Sequence, residues 1–328
     1  MIKSNLLKGL LCDLKTSCVK NICTSQHARK AVVLDGKKLA KQLQAECARE
    51  VASMTSDGKT APHLVLVQVG QDPASTIYLR NKTRAANEVG VNSTTHRLAE
   101  NVTLTELLHL LQSLNDDPAV NGVLVQLPLP PQLEEKVVCN AVHPSKDVDG
   151  FHATNIGRFC MDVPCLAPCT ALAVGELLRR YDIATFGLNA VVCGRSKNVG
   201  LPIALLLHGD GQRQHGLDCT TTICHRYTPP AVLRQHLSNA DIVVTAAGVP
   251  NLIRGEHLKP GCCVVDVAVN RIKNKDTGRV KLVGDCHFES CVEVAGHISP
   301  VPGGVGPLTV AMLMRNTILA TKQQRQLT

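Results

Sequence analysis

The chain has 328 residues, 44% of them hydrophobic, and a formal net charge of +8. That length and apolar content are enough for two domains with cores of their own, and charges and prolines break every long apolar run before the roughly 20 residues a membrane-spanning helix needs. Residues 1–34 carry a net +5, leaving only +3 for the body, which has three Tyr, four Phe and no Trp; a basic body with aromatic stacking platforms, as nucleic-acid binding would require, is therefore absent.

At the start of the chain Ile2, Leu6, Leu10 and Leu14 recur every fourth residue, with Leu7 and Leu11 beside them. Lys3, Lys8 and Lys15 fall largely on another face. Hydroxyl residues follow, and Asp13 is the only acid before residue 35. This basic amphipathic pattern predicts a mitochondrial transit peptide over 1–34, and hence a matrix location; the alternative is a surface helix of the mature fold.

From Val33 onward, helix-like and strand-like segments alternate in the manner of an α/β protein. A helix is predicted over residues 37–54, then a buried strand at 63–69. Asp72-Pro73 supplies an N-cap and first-turn proline for a helix running to Val89, which Gly90 stops. A helix at 104–114 and a strand at 122–126 complete a first domain, 35–150. The stretch 148–168 reads as a loop-rich hinge. Beyond it, apolar strands at 190–193, 220–224, 241–245 and 263–267, most of them separated by helices, predict a doubly wound parallel sheet of Rossmann type in a second domain, 151–300.

Fifteen cysteines are scattered through apolar runs, without a Cys-x-x-Cys pair. They read as small core residues with reduced thiols, and no zinc site is expected.

After the strand at 190–193 comes Gly194-Arg195-Ser196-Lys197-Asn198-Val199-Gly200, then an apolar helix. A glycine turn between strand and helix lets backbone N–H groups and the helix dipole approach a pyrophosphate; a tight turn without ligand is the alternative. NAD-specific sheets usually end the next strand in an acid, which holds the ribose 2′-hydroxyl. Here that place is taken by Cys224-His225-Arg226. A cation there suits a phosphate, so NADP, or NAD with inorganic phosphate, fits better than NAD alone. Asp218, just before that strand, is a candidate Mg²⁺ ligand bridging to such a phosphate, against the simpler reading of a loop aspartate.

Tyr78 and Lys82 lie four residues apart on one helix face. Gln126 ends a strand, and Asp149 sits in Lys146-Asp147-Val148-Asp149-Gly150. Strand ends are where open α/β sheets hold their ligands.

Six ordered blocks, Tyr78–Thr83, Gly122–Pro130, Lys146–Phe151, Gly194–Ser196, Val199–Pro202 and Pro300–Pro307, make the chain resemble the methylenetetrahydrofolate dehydrogenase/cyclohydrolase family across residues 35–322. The segments 194–200 and 225–229 are most similar to the mitochondrial bifunctional branch, which prefers NAD with Mg²⁺ and inorganic phosphate. The resemblance implies oxidation of 5,10-methylenetetrahydrofolate followed by hydrolysis to 10-formyltetrahydrofolate. It makes Lys82 the catalytic residue, positioned by Gln126, with Tyr78 stacked on the folate and Asp149 bonded to the pterin. It implies a folate pocket closed by the Pro300–Pro307 loop, including Gly303 and Gly304. Gly194, Arg195, Ser196, Gly200, Arg226, Thr170 and Asn270 would contact the cofactor, with Arg195 and Arg226 on the phosphate and Asp218 on the metal. A last helix, 309–328, would return onto the first domain, and the protein would be a homodimer formed through its cofactor domains.

The chemistry suits these residues. Hydride loss needs nicotinamide and substrate held in contact, whereas hydrolysis needs a base, and a lysine serves only when neutral. Burial and the cationic methenyl group both favour a neutral Lys82. The family usually has Pro-Cys-Thr-Pro-x-Gly where this chain has Pro168-Cys169-Thr170-Ala171-Leu172-Ala173, and Ala268 and His287 replace a common Gly and Asp. Two rivals follow: a strictly NADP-dependent member, and a folate-binding protein that has lost hydride transfer.

Overall fold

The computed structural model describes residues 30–56, 58–213, 215–273 and 280–327. The predicted leader helix lies outside these residues. The end of the predicted leader does not: Val32–Val33 form strand β1, paired in parallel with His297–Ile298, and Ala31 and Leu34 are buried. The fold therefore begins ahead of the expected boundary at residue 34.

Helix α1 (Gly36–Thr55) starts where the Asp35 carboxylate accepts the Lys38 N–H at 2.9 Å. Next come β2 (His63–Val69), α2 (Pro73–Val89), β3 (Asn92–Leu98), α3 (Leu104–Asp116), β4 (Gly122–Val125) and α4 (Glu135–Ala141). The Asp72 carboxylate accepts Ser75 N–H at 2.7 Å to open α2, and Gly90, at φ 80°, closes it. A capping box of Thr103 and Glu106 opens α3. The three strands make a parallel sheet in the order β3-β2-β4. β3 was not predicted. Its sequence, Asn-Ser-Thr-Thr-His-Arg-Leu, lacks an apolar alternation because it is an edge strand backed by one neighbour.

The expected hinge contains a short helix, α5 (Ala153–Cys160), which buries Asn155 and Phe159. Then follow α6 (Cys169–Arg180), β5 (Asn189–Cys193), α7 (Gly200–His208), β6 (Thr220–Cys224), α8 (Pro230–Asn239), β7 (Ile242–Thr245), β8 (Cys263–Asp266), the antiparallel pair β9 (Asn270–Lys273) and β10 (Val280–Val283), α9 (Phe288–Cys291), β11 (His297–Ile298) and α10 (Val305–Leu327). The six-stranded sheet runs β1-β11-β8-β7-β5-β6, all parallel.

Alternate residues of the inner strands serve different cores, as a sheet covered on both faces requires. Leu64, Leu66 and Leu124 of one sheet and Val192, Val244 and Val265 of the other contribute to a shared central core with α1, α6 and α10. Val65, Val67 and Val123 face a second core, with α3, and Val191, Val243 and Val264 a third, with Leu237 of α8. Helix α10 packs on α6, α1 and α2. It begins at Val305, four residues ahead of the predicted start. From it Asn316, 3% exposed, donates to the carbonyls of Val148 and Ala167 at 2.9 and 2.8 Å. Gln324 donates to the carbonyls of Asn121 and Ser145, both at 2.9 Å. The last helix thus clamps the ends of the first domain to the start of α6.

Candidate active site

Two clusters form at strand ends, one for each sheet. In the first, α2 carries Tyr78 and Lys82, and Gln126 follows β4 directly. Lys82 Nζ donates to Gln126 Oε1 at 2.9 Å, while Gln126 Nε2 donates to the Leu127 carbonyl at 2.7 Å. That second bond fixes which end of the amide faces the lysine. Burial pushes the Lys82 amine below the usual lysine range, opposed by the negative charge of Asp149. Burial pushes the Asp149 carboxyl up, and the Lys82 charge pulls it back. Tyr78 keeps 42% of its surface exposed, which leaves a ring face available to a ligand.

Asp149 is held by its neighbours in the motif. Asp147, 4% exposed, accepts the N–H groups of Gly150, Phe151 and His152 at 3.1, 3.2 and 2.8 Å and the Asn155 amide at 2.9 Å. Lys146 Nζ donates to the Leu114 and Asp117 carbonyls at 3.0 and 2.6 Å, capping the end of α3. Of the three charged residues in that motif, only Asp149 interacts with Lys82; the other two build the turn that carries it.

Cys169 was missed as a site neighbour. It is 1% exposed, donates its thiol to the Val148 carbonyl at 3.2 Å, and lies close enough to feel both Lys82 and Asp149. Burial pushes its thiol well above the ordinary value. Its place in the quoted Pro168-Cys169-Thr170 segment was the available signal.

The second cluster surrounds the turn after β5. Gly194 has φ 126°, and a Cβ there would stand 2.3 Å from the Ala246 carbonyl oxygen. A Cβ on Gly200 would stand 2.2 Å from the Gly194 carbonyl oxygen. Only glycine permits both approaches. The Ser196 hydroxyl oxygen accepts from Val199 and Gly200 N–H at 3.2 and 3.3 Å, leaving its own proton free to donate outward. Arg195 and Arg226 are exposed, and both guanidinium groups lie over the Tyr227 ring, 6.0 and 5.7 Å from its centroid. Both cations thus lie around one exposed ring.

Other predicted contacts are placed differently. Asn270 spends its side-chain amide on Asp285 Oδ1 at 2.9 Å. Asp218 precedes β6 whereas Arg226 follows it, so the five-residue strand, roughly 17 Å long, separates them. One carboxylate oxygen of Asp218 already accepts the Gly211 N–H at 3.0 Å. Strand β6 thus stands between Asp218 and Arg226. Thr170 sits in the first turn of α6. Pro300 and Gly303 line an open groove of about 400 Å³ with Val33, Asp35, Lys37 and Pro302. Gly303 accepts the Lys37 N–H at 3.0 Å, and Gly304 abuts Gly36, which anchors this loop to the start of α1.

Residues 34–149 match the tetrahydrofolate dehydrogenase/cyclohydrolase catalytic domain, and residues 168–325 match the NAD(P)-binding domain of the same enzymes. The chain belongs to the tetrahydrofolate dehydrogenase/cyclohydrolase family. A relative from Drosophila melanogaster, described as a mitochondrial bifunctional methylenetetrahydrofolate dehydrogenase/cyclohydrolase, is 52% identical over 295 residues, covering 90% of this chain and 96% of its own. A 5,10-methylenetetrahydrofolate dehydrogenase structure from the silkworm, Bombyx mori, superposes with a TM-score of 0.85 at 47% identity, over 90% of this chain and 99% of that one. A Trypanosoma brucei N5,N10-methylenetetrahydrofolate dehydrogenase-cyclohydrolase solved with NADP and inhibitor gives 0.85 at 37% identity, over 91% and 99%. In this tetrahydrofolate dehydrogenase/cyclohydrolase chain the Lys82 cluster lies within the matched catalytic domain and the glycine turn within the matched NAD(P)-binding domain.

Proposed function

We propose that the protein oxidises 5,10-methylenetetrahydrofolate with a nicotinamide dinucleotide and hydrolyses the methenyl product to 10-formyltetrahydrofolate, in mitochondria. The observation that carries this reading is the Lys82–Gln126 hydrogen bond beside Asp149. The nicotinamide, when bound, accepts the hydride; the protein's part in that step is to hold substrate and cofactor in contact. Gly194, Ser196 and Gly200 fit a pyrophosphate, because the turn brings backbone and hydroxyl donors to the start of α7. Tyr78 stacks on the folate, and Asp149 bonds its pterin.

Hydrolysis then needs a proton acceptor for the attacking water. A neutral Lys82 keeps one N–H on Gln126 and turns its lone pair elsewhere, toward that water. Burial and the cationic methenyl group both favour the neutral amine.

Arg195 and Arg226, converging on Tyr227, fit a phosphate. Two cofactor readings remain: NAD with inorganic phosphate, and NADP gripped by its 2′-phosphate. The mitochondrial name of the Drosophila relative favours the first in company with the predicted leader, and the NADP-bound trypanosomal structure favours the second. Asp218, ahead of β6, is the candidate magnesium ligand, and no step is routed through it. The reading as a folate binder without hydride transfer loses its support, since Ala171, Leu172 and Ala173 run smoothly through the first turns of α6, with both alanines fully buried. A homodimer through the cofactor domains completes the proposal.

The test is methenyl formation followed by absorbance with NAD and with NADP, each with and without phosphate and Mg²⁺. Turnover under at least one condition is expected, and a flat trace under all four would refute the dehydrogenase reading.

A further inference from the structure

Asp285 is fully buried and lies 40 residues beyond Thr245 in sequence. Its Oδ2 accepts Thr245 Oγ1 at 2.7 Å and the N–H groups of Ala247 and Gly248 at 2.7 and 3.2 Å; its Oδ1 accepts the Val249 N–H at 2.8 Å and Asn270 Nδ2 at 2.9 Å. Five donors on one carboxylate, three of them consecutive backbone N–H groups, replace the water that burial removes. With Gly248 at φ 71°, the loop holds this shape because the carboxylate holds it.

That loop forms a wall of the dinucleotide turn. Ala246 N–H donates to the Cys193 carbonyl at 2.7 Å, its own carbonyl abuts Gly194, and residues 247–250 are exposed at the carboxyl end of β7. In an open parallel sheet, that edge is where a dinucleotide lies.

Asp285 is itself anchored. Asp266, at the end of β8, accepts the N–H groups of Asp285 and Cys286 at 3.1 and 2.8 Å. Gly284 makes room for this, since a Cβ there would stand 1.9 Å from the Asp266 carboxylate. The Asp266 N–H in turn donates to Ser299 Oγ at 2.8 Å, immediately before the Pro300 loop. A continuous chain of hydrogen bonds thus joins the 246–249 loop to the root of the 300–304 loop.

We infer that Asp285 is a positioning residue for the dinucleotide, setting the 246–249 loop against the Gly194 turn and tying it through Asp266 to the Pro300 loop. The inference rests on the dehydrogenase reading above, so the wild-type chain is assayed alongside the variants; inactivity of wild type would fail that reading, whereas the outcomes below fail this one. Asp285→Asn replaces one accepting oxygen by an NH2 group facing N–H donors, and Thr245→Val removes a single donor without changing shape. Binding of NAD and NADP to the full chain is measured by calorimetry, with dehydrogenase and methenyl-hydrolysis rates on the same preparations. For Asp285→Asn, dinucleotide affinity and dehydrogenase kcat/KM fall on the order of tenfold, as for loss of one charge-assisted bond, with hydrolysis within about twofold of wild type. Thr245→Val shows a smaller loss in the same direction. Unchanged affinity, or an equal loss of both activities, would overturn the inference; should Asp285→Asn fail to fold, Thr245→Val decides by the same two readouts.

Discussion

Lys82 Nζ and Gln126 Oε1 stand 2.9 Å apart across two elements separated by 44 residues of chain, one on α2 and one just past β4. The amide oxygen accepts a hydrogen bond from the lysine, and the amide does not donate one in return, because its NH2 end is directed to the Leu127 carbonyl. Whatever the lysine's charge, one N–H is held on Gln126, and the rest of the nitrogen is oriented for another partner.

Lys82→Met removes the base and leaves an apolar side chain of similar length. Methenyl hydrolysis is expected to fall by about 10²-fold or more, with the thermal melting curve little changed. Hydrolysis at the wild-type rate would remove Lys82 from the mechanism.

The pH profile carries a sign. Burial lowers the Lys82 value, so the active neutral form is reached at lower pH than for an ordinary lysine, and hydrolysis should rise with pH through an inflection below the usual lysine range. Asp149 opposes that shift. Asp149→Asn is therefore expected to move the inflection to lower pH while weakening folate binding; movement to higher pH would contradict the assigned electrostatics.

Arg226→Ala separates the two cofactor readings. If the pair grips a 2′-phosphate, KM for NADP rises about tenfold and KM for NAD is little affected. If it holds inorganic phosphate, the stimulation of NAD turnover by phosphate is lost instead. Neither change would show that Arg226 is outside the site.

Asn316→Ala removes both donors that the last helix offers to the Val148 and Ala167 carbonyls. A stability loss of about 1 kcal/mol is expected, measured by urea titration, because the Ala167 carbonyl loses its amide donor while the Val148 carbonyl keeps the Cys169 thiol. Because Val148 precedes Asp149, folate affinity should fall with it.

Ala171→Pro should be tolerated, with a melting temperature within a few degrees of wild type. Position 171 is in the first turn of α6, where a proline's missing N–H costs little. A large loss would mean that the buried methyl is packed too tightly to accept the ring.

The sequence made the parallel strands and α2 legible because their signals are local: β-branched runs, the Asp72-Pro73 opening and the Gly90 stop. β3 left no such trace, since an edge strand under little cover has no need of apolar alternation. α5 was hidden in a polar stretch that buries only two residues of its eight. At the site, Lys82, Gln126 and Asp149 were found through ordered motifs, and the structure brings them together. The hydrogen-bond partners of Asn270 and Asp218 were not legible because they depend on tertiary contacts. Asn270 meets an aspartate 15 residues on, and Asp218 starts a strand whose far end holds Arg226. Asp285 could not be read as a loop holder, because the loop donors it accepts from, Thr245 to Val249, lie 36 to 40 residues away in sequence.

Strand β1 is two residues long, yet it borders the six-stranded sheet and hands the chain directly to α1 in the other domain. Proteolytic trimming that reached Val32 and Val33 would strip β11 of its outer neighbour and release the stitch that fastens one lobe to the other.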